Sequence, residues 1–388
     1  RLRVKEKKTL RNSLLVIITL LLLSLVTVNG VLAAEPQISA QAAVLIDRDT
    51  GAVLYGKNHL ETRPPASTTK ILTAILAIEK GNLSDVVVVS QRAALTGEAR
   101  LNLVAGEKIT LENLLYGALL KSGNDACVAI AEHIASSVED FVSLMNLKAK
   151  SIGCTNSHFV NPHGLPAKNH YSTALDLAIL AGYALDNPIF AKIVATPEYT
   201  VRWEESFRTR HINNTNRLLH IYPGATGVKT GTTNAAGQCL VSSASRDNRN
   251  LIAVVLKSQN RFGDSVKLLD YGFQEFRNLE VVQKGKISSI DYEGKKIKVK
   301  TGDNLIITLS RNQEVEISHE LKIKDDLLKQ PIAKDQLIGY INYYNQGEKI
   351  GQVPLLSLEN VEISKVEKLI PGKFWRFLQG KFSLKGNY

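Results

Sequence analysis

Ser67 and Lys70 lie three residues apart in the stretch Pro65-Ala66-Ser67-Thr68-Thr69-Lys70. It runs into an apolar helix pattern, Ile71-Leu72-Thr73-Ala74-Ile75-Leu76-Ala77-Ile78. Pro64 and Pro65 oppose helix and hold the approach extended. Ser67 suits the first helical position, where unpaired N–H groups gather. Lys70 then falls one turn on, on the same face. A hydroxyl at the positive end of a helix, with an amine in reach, is a nucleophile beside a possible base. The bland alternative is a plain helix cap, and about one S-x-x-K is expected by chance in a chain this long.

Two later stretches bear on the choice. Lys121-Ser122-Gly123-Asn124-Asp125 is polar and lies in a turn between two predicted helices. Ser122 could relay protons there, and the Asn124 amide could hold a substrate carbonyl or the Lys70 amine. Such a turn is commonly only a helix stop and cap. The third stretch is Gly227-Val228-Lys229-Thr230-Gly231-Thr232-Thr233, before a predicted strand. Lys229 could bind an anionic group and Thr230 its oxygens, and the backbone beyond Gly231 could approach a ligand closely. A phosphate-binding loop is excluded by spacing, since Gly224 to Thr230 does not fit G-x-x-x-x-G-K-[ST].

Each stretch is weak alone, but their order, S-x-x-K, then S-x-N, then K-T-G, is a known serine-acyltransfer signature. On these residues, and on Phe159-Val160-Asn161-Pro162-His163-Gly164-Leu165, the chain resembles the low-molecular-mass penicillin-binding proteins, serine-type D-alanyl-D-alanine carboxypeptidases. The resemblance covers nearly the whole chain. It implies a β-lactamase/transpeptidase-like catalytic domain, an antiparallel sheet with a helical cluster, followed by a small all-β domain. It implies a substrate, the D-Ala-D-Ala end of a peptidoglycan stem peptide, and β-lactams as covalent inhibitors. It also implies roles. Ser67 attacks the carbonyl between the two D-alanines, Lys70 takes its proton, Ser122 relays a proton to the leaving amine, and Asn124 positions substrate and Lys70. Lys229 holds the substrate carboxylate beside Thr230 and Gly231, the amides of Ser67 and Thr232 form the oxyanion hole, and Arg261 faces the terminal carboxylate. Water releases the acyl group, and no metal or cofactor is needed. Burial and the nearby Lys229 cation are expected to lower the Lys70 pKa. The strand after Lys229-Thr230-Gly231 is expected to accept an extended peptide as an added strand.

Two features depart from relatives. Thr215 stands where some carry an arginine, and no equivalent of the class A β-lactamase deacylating glutamate can be assigned. The second disfavours a β-lactamase, which needs such a base for fast drug release. A non-hydrolytic penicillin sensor or wall-binding scaffold is the remaining alternative, and three intact motifs argue against it.

The supporting elements follow from periodicity. Ala42–Ile46 and Ala52–Tyr55 flank Asp49-Thr50-Gly51 as a hairpin. The Ser67 helix stops at Gly81, read as a C′ residue. Helical spacing predicts helices over 111–121, 125–136, 140–152 and 173–185. Thr110, Asn124 or Asp125, and Thr173 are the predicted caps. Gln238–Ser245 and Leu251–Leu256 read as strands, and a last helix spans about Asp264 to Phe276. Strands at both ends of a helical block argue for one α+β domain in which the early hairpin joins the late strands.

Domain limits follow from composition. Residues 1–12 hold six basic side chains against Glu6, and an apolar run, Ser13–Val28, precedes Gly30-Val31-Leu32-Ala33-Ala34. That order is a secretory signal, cleaved after Ala33 or Ala34, although an uncleaved anchor has similar flanks. The formal charge is +11, of which +6 remains beyond residue 34. A moderate basic excess in an exported protein suits an anionic wall or membrane surface, and no nucleic-acid signature accompanies it. The three cysteines, Cys127, Cys154 and Cys239, lack metal or disulfide spacing and read as buried thiols. The expected domains are a signal at 1–34, a catalytic domain at 35–278, a β-domain at 279–363 and an amphipathic membrane-associating segment at 364–388. In the last, Phe374, Leu378 and Phe382 repeat at four-residue spacing among Lys373, Arg376, Lys381 and Lys385.

Overall fold

The computed structural model describes residues 35–362, except 205, 206, 293, 325, 326, 328 and 329. The expected signal and the expected C-terminal amphipathic segment lie outside the described residues.

Five antiparallel strands form the main sheet, in the order Val53–Lys57, Ala42–Asp47, Arg249–Ser258, Gly237–Arg246, Ala225–Thr233. The early hairpin does join the late strands, with Ala42 opposite Leu256 and Asp47 opposite Leu251. Its turn places Gly51 at φ +73°, where glycine carries no Cβ penalty. Ala42, Val44 and Ile46 face the core of the helical block. Ala43 and Leu45 face the helix Arg261–Glu275 through Leu268 and Leu269. Covering both faces explains why this strand is apolar at consecutive positions rather than alternating.

The helical block contains the four predicted helices, observed as Leu111–Leu119, Asn124–Ala135, Val138–Ser151 and Ala174–Leu185. Thr110 and Thr173 cap as expected, accepting from the N–H groups of Asn113 and Asp176. The cap of the second helix differs. Gly123 takes that position without a side-chain bond, because the Asn124 and Asp125 side chains are engaged elsewhere. Gly81 also differs, being extended (φ −106°) rather than left-handed. Packing requires glycine there instead of a positive φ: a Cβ would lie 2.6 Å from Leu111 and 2.7 Å from Ile134. The short helices Gln91–Leu95 and Pro188–Ala195 and the hairpin Glu198–Arg202 with Thr209–Asn213 complete the block.

Beyond the helix Arg261–Glu275, the strand Phe276–Val282 pairs with Leu305–Ser310 and spans the boundary expected at 278 and 279. A second five-stranded sheet follows, in the order Ile287–Tyr292, Lys295–Thr301, Glu348–Ser357, Leu337–Asn345, Ile317–Ile323. It has its own core around Ile297, Val299, Ile338 and Leu355. The two regions meet where Thr308 bonds Thr50, 2.6 Å between hydroxyls, and the Arg311 N–H donates to the Glu275 carbonyl. All three cysteines are buried and free. Among the described residues, no single helix is long and apolar enough to cross a membrane.

Candidate active site

Ser67 does not open an α-helix. It sits in a 3-10 turn, Ala66–Thr69, and the α-helix Lys70–Lys80 begins at the lysine. Pro65 is in the right-handed region (φ −82°, ψ −12°), so the turn begins there and that residue is not extended. The tighter winding matters, because a 3-10 turn eclipses side chains at i and i+3. Lys70 Nζ therefore lies 2.8 Å from Ser67 Oγ. Ala66 adopts a left-handed φ of +49°, which costs an alanine roughly 1–2 kcal/mol. Gly164 packs against it so closely that a Cβ there would fall 1.8 Å from the Ala66 carbonyl oxygen.

Lys70 is fully buried. Its amine reaches three oxygens, Ser67 Oγ, Asn124 Oδ1 at 2.7 Å and the His163 carbonyl at 2.7 Å. As an ammonium it donates to all three. As a neutral amine it has two hydrogens for the two carbonyls, which leaves its lone pair toward the Ser67 hydroxyl. Burial lowers its pKa to about 8, against upward pulls from Cys127, Asp125 and Glu98. The expected contribution of Lys229 is not among these causes. The repulsion between the two amines falls on Lys229 instead, held well below the ordinary lysine value by burial and then by Lys70.

Asn124 opens its helix with both ends of its amide fixed. Oδ1 accepts from Lys70, and Nδ2 donates to the Gly97 carbonyl at 2.9 Å. Asp125, fully buried beside it, accepts from the N–H groups of Leu101 and Leu103 and holds that loop in place. Ser122 precedes them at φ +68° and 8% exposure. Among the described residues its hydroxyl makes no hydrogen bond, and so none to Ser67, Lys70 or Lys229.

Lys229, Thr230, Gly231 and Thr232 lie within the strand Ala225–Thr233, the last strand of the main sheet. This corrects the expectation that the following strand accepts a peptide. The following strand, Gly237–Arg246, is paired on both sides, so the outer edge belongs to the Lys229 strand itself. A Cβ on Gly231 would meet the Ser67 amide nitrogen at 3.0 Å and the Pro65 carbonyl at 3.2 Å. Glycine thus brings the strand backbone against the Ser67 turn. Lys229 is 1% exposed, and its amine donates only to the Thr230 carbonyl among the described residues. The Thr230 and Thr215 hydroxyls lie 2.7 Å apart, so a neutral pair stands where the resemblance raised the question of an arginine. Arg261 Nη1 donates to the Gly231 carbonyl and to Thr232 Oγ1.

Two contributors have no functional signature in the sequence. The His163 carbonyl is backbone, and any residue could supply it. It is placed by Thr73 Oγ1, which donates to the adjacent Pro162 carbonyl at 2.6 Å. Asp125 holds the Leu101–Leu103 backbone and raises the Lys70 pKa through its charge. The stretch around His163 was visible as part of the resemblance, but its role was not.

A family model described as D-alanyl-D-alanine carboxypeptidase matches residues 29–260. The model of the penicillin-binding protein 5 C-terminal domain matches residues 276–363. The D-alanyl-D-alanine carboxypeptidase DacF of Bacillus subtilis is 37% identical over 353 residues, 86% of this chain and 89% of that one. DacC of Escherichia coli is 34% identical over 368 residues, 89% of each. The solved structure of penicillin binding protein 5 from Haemophilus influenzae has a TM-score of 0.74 at 32% identity, covering 85% of this chain and 99% of that one. That of DacD from Francisella tularensis has a TM-score of 0.67 at 29% identity, covering 85% and 95%. On the family model, the extent of the matches and the shared fold, the chain belongs to the D-alanyl-D-alanine carboxypeptidase family of penicillin-binding proteins.

Proposed function

We propose that the protein removes the terminal D-alanine from peptidoglycan stem peptides through an ester on Ser67, and so limits cross-linking in the cell wall. The observation that carries the mechanism is the fully buried Lys70 amine, 2.8 Å from Ser67 Oγ and oriented by two fixed carbonyls. Neutral Lys70 takes the hydroxyl proton as Oγ bonds to the carbonyl carbon. The carbonyl oxygen becomes an oxyanion facing the Ser67 and Thr232 N–H groups, each worth ~3 kcal/mol. The C–N bond then breaks as the Ser122 hydroxyl gives its proton to the leaving D-alanine amine and regains one from the Lys70 ammonium, which leaves Lys70 neutral for the attack of water. Water attacks the ester and returns the proton to Ser67. Lys229, Thr230 and Arg261 hold the substrate carboxylate. That carboxylate favours the charged form of Lys229, and the restored cation lowers Lys70 further, toward the neutral base.

The substrate backbone lies along the outer edge of Ala225–Thr233 as an added strand. Penicillin follows the same path and stays as a stable ester. Residues 35–278 act as the catalytic domain and 279–363 as a β-module. Residues 1–34 direct export, and 364–388 rest on an anionic membrane surface outside the cytoplasm. Incubation with a D-Ala-D-Ala peptide and with penicillin tests the function. Release of D-alanine with slow trapping by drug is expected. Rapid drug turnover would instead identify a β-lactamase, and no D-alanine release a non-hydrolytic sensor.

A further inference from the structure

Beside the Ser67 turn lies a cavity of about 350 Å³. Pro64 and Pro65 line one wall, Pro166 and Lys168 the opposite loop, and Thr233 and Ala235 the end of the edge strand. The loop is tied down, with Asn161 bonding the Gly164 N–H and the Leu165 carbonyl. His170 also faces the cavity but is neutral. Its Nδ1 accepts the Val160 N–H, so Nε2 carries the hydrogen given to Thr69, and burial lowers its pKa to about 4. Lys168 is therefore the charged side chain of the lining. It is exposed and forms no hydrogen bond or ion pair among the described residues.

The position of the cavity along the strand gives it an occupant. With the terminal carboxylate at Lys229 and the scissile carbonyl at Ser67, beside Gly231, the peptide runs on toward Thr233. A strand rises about 3.3 Å per residue, so the residue before D-Ala-D-Ala falls at this cavity. We infer that the cavity is the subsite for that residue's side chain, and that Lys168 selects a side chain with an aliphatic stem ending in a carboxylate. The three prolines and Ala235 cover the stem, and the ammonium meets the anion. The inference rests on the carboxypeptidase reading above.

Three pentapeptides ending in D-Ala-D-Ala test it, alike except at the preceding residue: L-lysine, meso-diaminopimelate, or diaminopimelate with its side-chain carboxylate amidated. For D-alanine release, kcat/KM is expected to be about fivefold higher for the free carboxylate than for either other peptide, as for one exposed ion pair. The preference should shrink with added salt. Lys168→Arg should keep it, Lys168→Ala should bring the ratio near one, and Lys168→Glu should reverse it toward lysine. Equal rates on all three peptides, or a preference untouched by Lys168→Glu, would overturn the subsite while leaving the carboxypeptidase standing. No release by the unmodified protein from any peptide would overturn the carboxypeptidase reading itself.

Discussion

Lys70 and Lys229 are both buried, yet their surroundings differ. Lys70 has three oxygens within 2.8 Å, two of them on carbonyls held in place by other bonds. Lys229 has one neighbouring carbonyl, its own strand's Thr230. The first amine is satisfied in either protonation state, and its lone pair has one direction to point. The second is an amine short of acceptors beside an open strand edge, and an arriving anion favours its charged form. Burial is the largest cause lowering both pKa values, and Lys70 lowers that of Lys229 further. On the proposed mechanism, the hydrogen-bond partners suit one to act as a base and the other to receive an anion.

Removing the Lys70 arm should have the largest effects. Ser67→Ala should abolish penicillin labelling and reduce D-alanine release by ~10⁴-fold or more. Lys70→Ala should slow acylation by ~10³-fold, the scale of a lost general base. Mass spectrometry of the drug adduct checks both, and a penicilloyl group on another serine would refute the assignment.

Gly231→Ala tests the alignment of the two arms. The added carbon must push the strand from the Ser67 amide, and a displacement of that size should cost ~10²-fold in kcat. Folding of the variant is checked by circular dichroism.

Lys229→Ala should separate the receptor from the base. Loss of a charged hydrogen bond to the carboxylate predicts a ~10–100-fold drop in kcat/KM on a free D-Ala-D-Ala terminus. A C-terminally amidated peptide should lose far less. An equal loss on both peptides would place Lys229 in the same role as Lys70.

The pH profile reads the base directly. Neutral Lys70 accepts the proton and the ammonium cannot. Its pKa is about 8, so acylation should rise about tenfold per pH unit below that value and level off above it. A profile flat between pH 6 and 8 would exclude Lys70 as the base. The smallest effect is expected from deleting 371–388. D-alanine release should stay constant while the protein moves from the membrane to the soluble fraction, and continued pelleting with membranes would refute the anchor.

Much of the frame was legible because periodicity reports which face is buried. The apolar run Ala42–Ile46 and the helical spacing after Leu111 located the sheet and the helices. Local winding was less legible. The 3-10 turn at Ser67 and the extended Gly81 depend on Gly164, Leu111 and Ile134, which come from elsewhere in the chain. In the sequence the edge strand shows only as a stretch preceding a strand. Gly227 and Gly231 weaken its strand signal, and its pairing with Gly237–Arg246 decides its conformation.

By itself the sequence determined which reactive groups the chain owns and their order: a serine with a lysine three residues on, a serine and asparagine in a helix-initiating turn, and a lysine before a glycine. Those are covalent facts, and no fold alters them. Only the tertiary structure decided what each group does. Folding buries the Lys70 amine, so its ammonium gives up a proton more readily, and it brings to that amine the carbonyls of Asn124 and His163, 54 and 93 positions away in the chain. Protonation and direction of an amine depend on neighbours in space, and sequence spacing does not contain them.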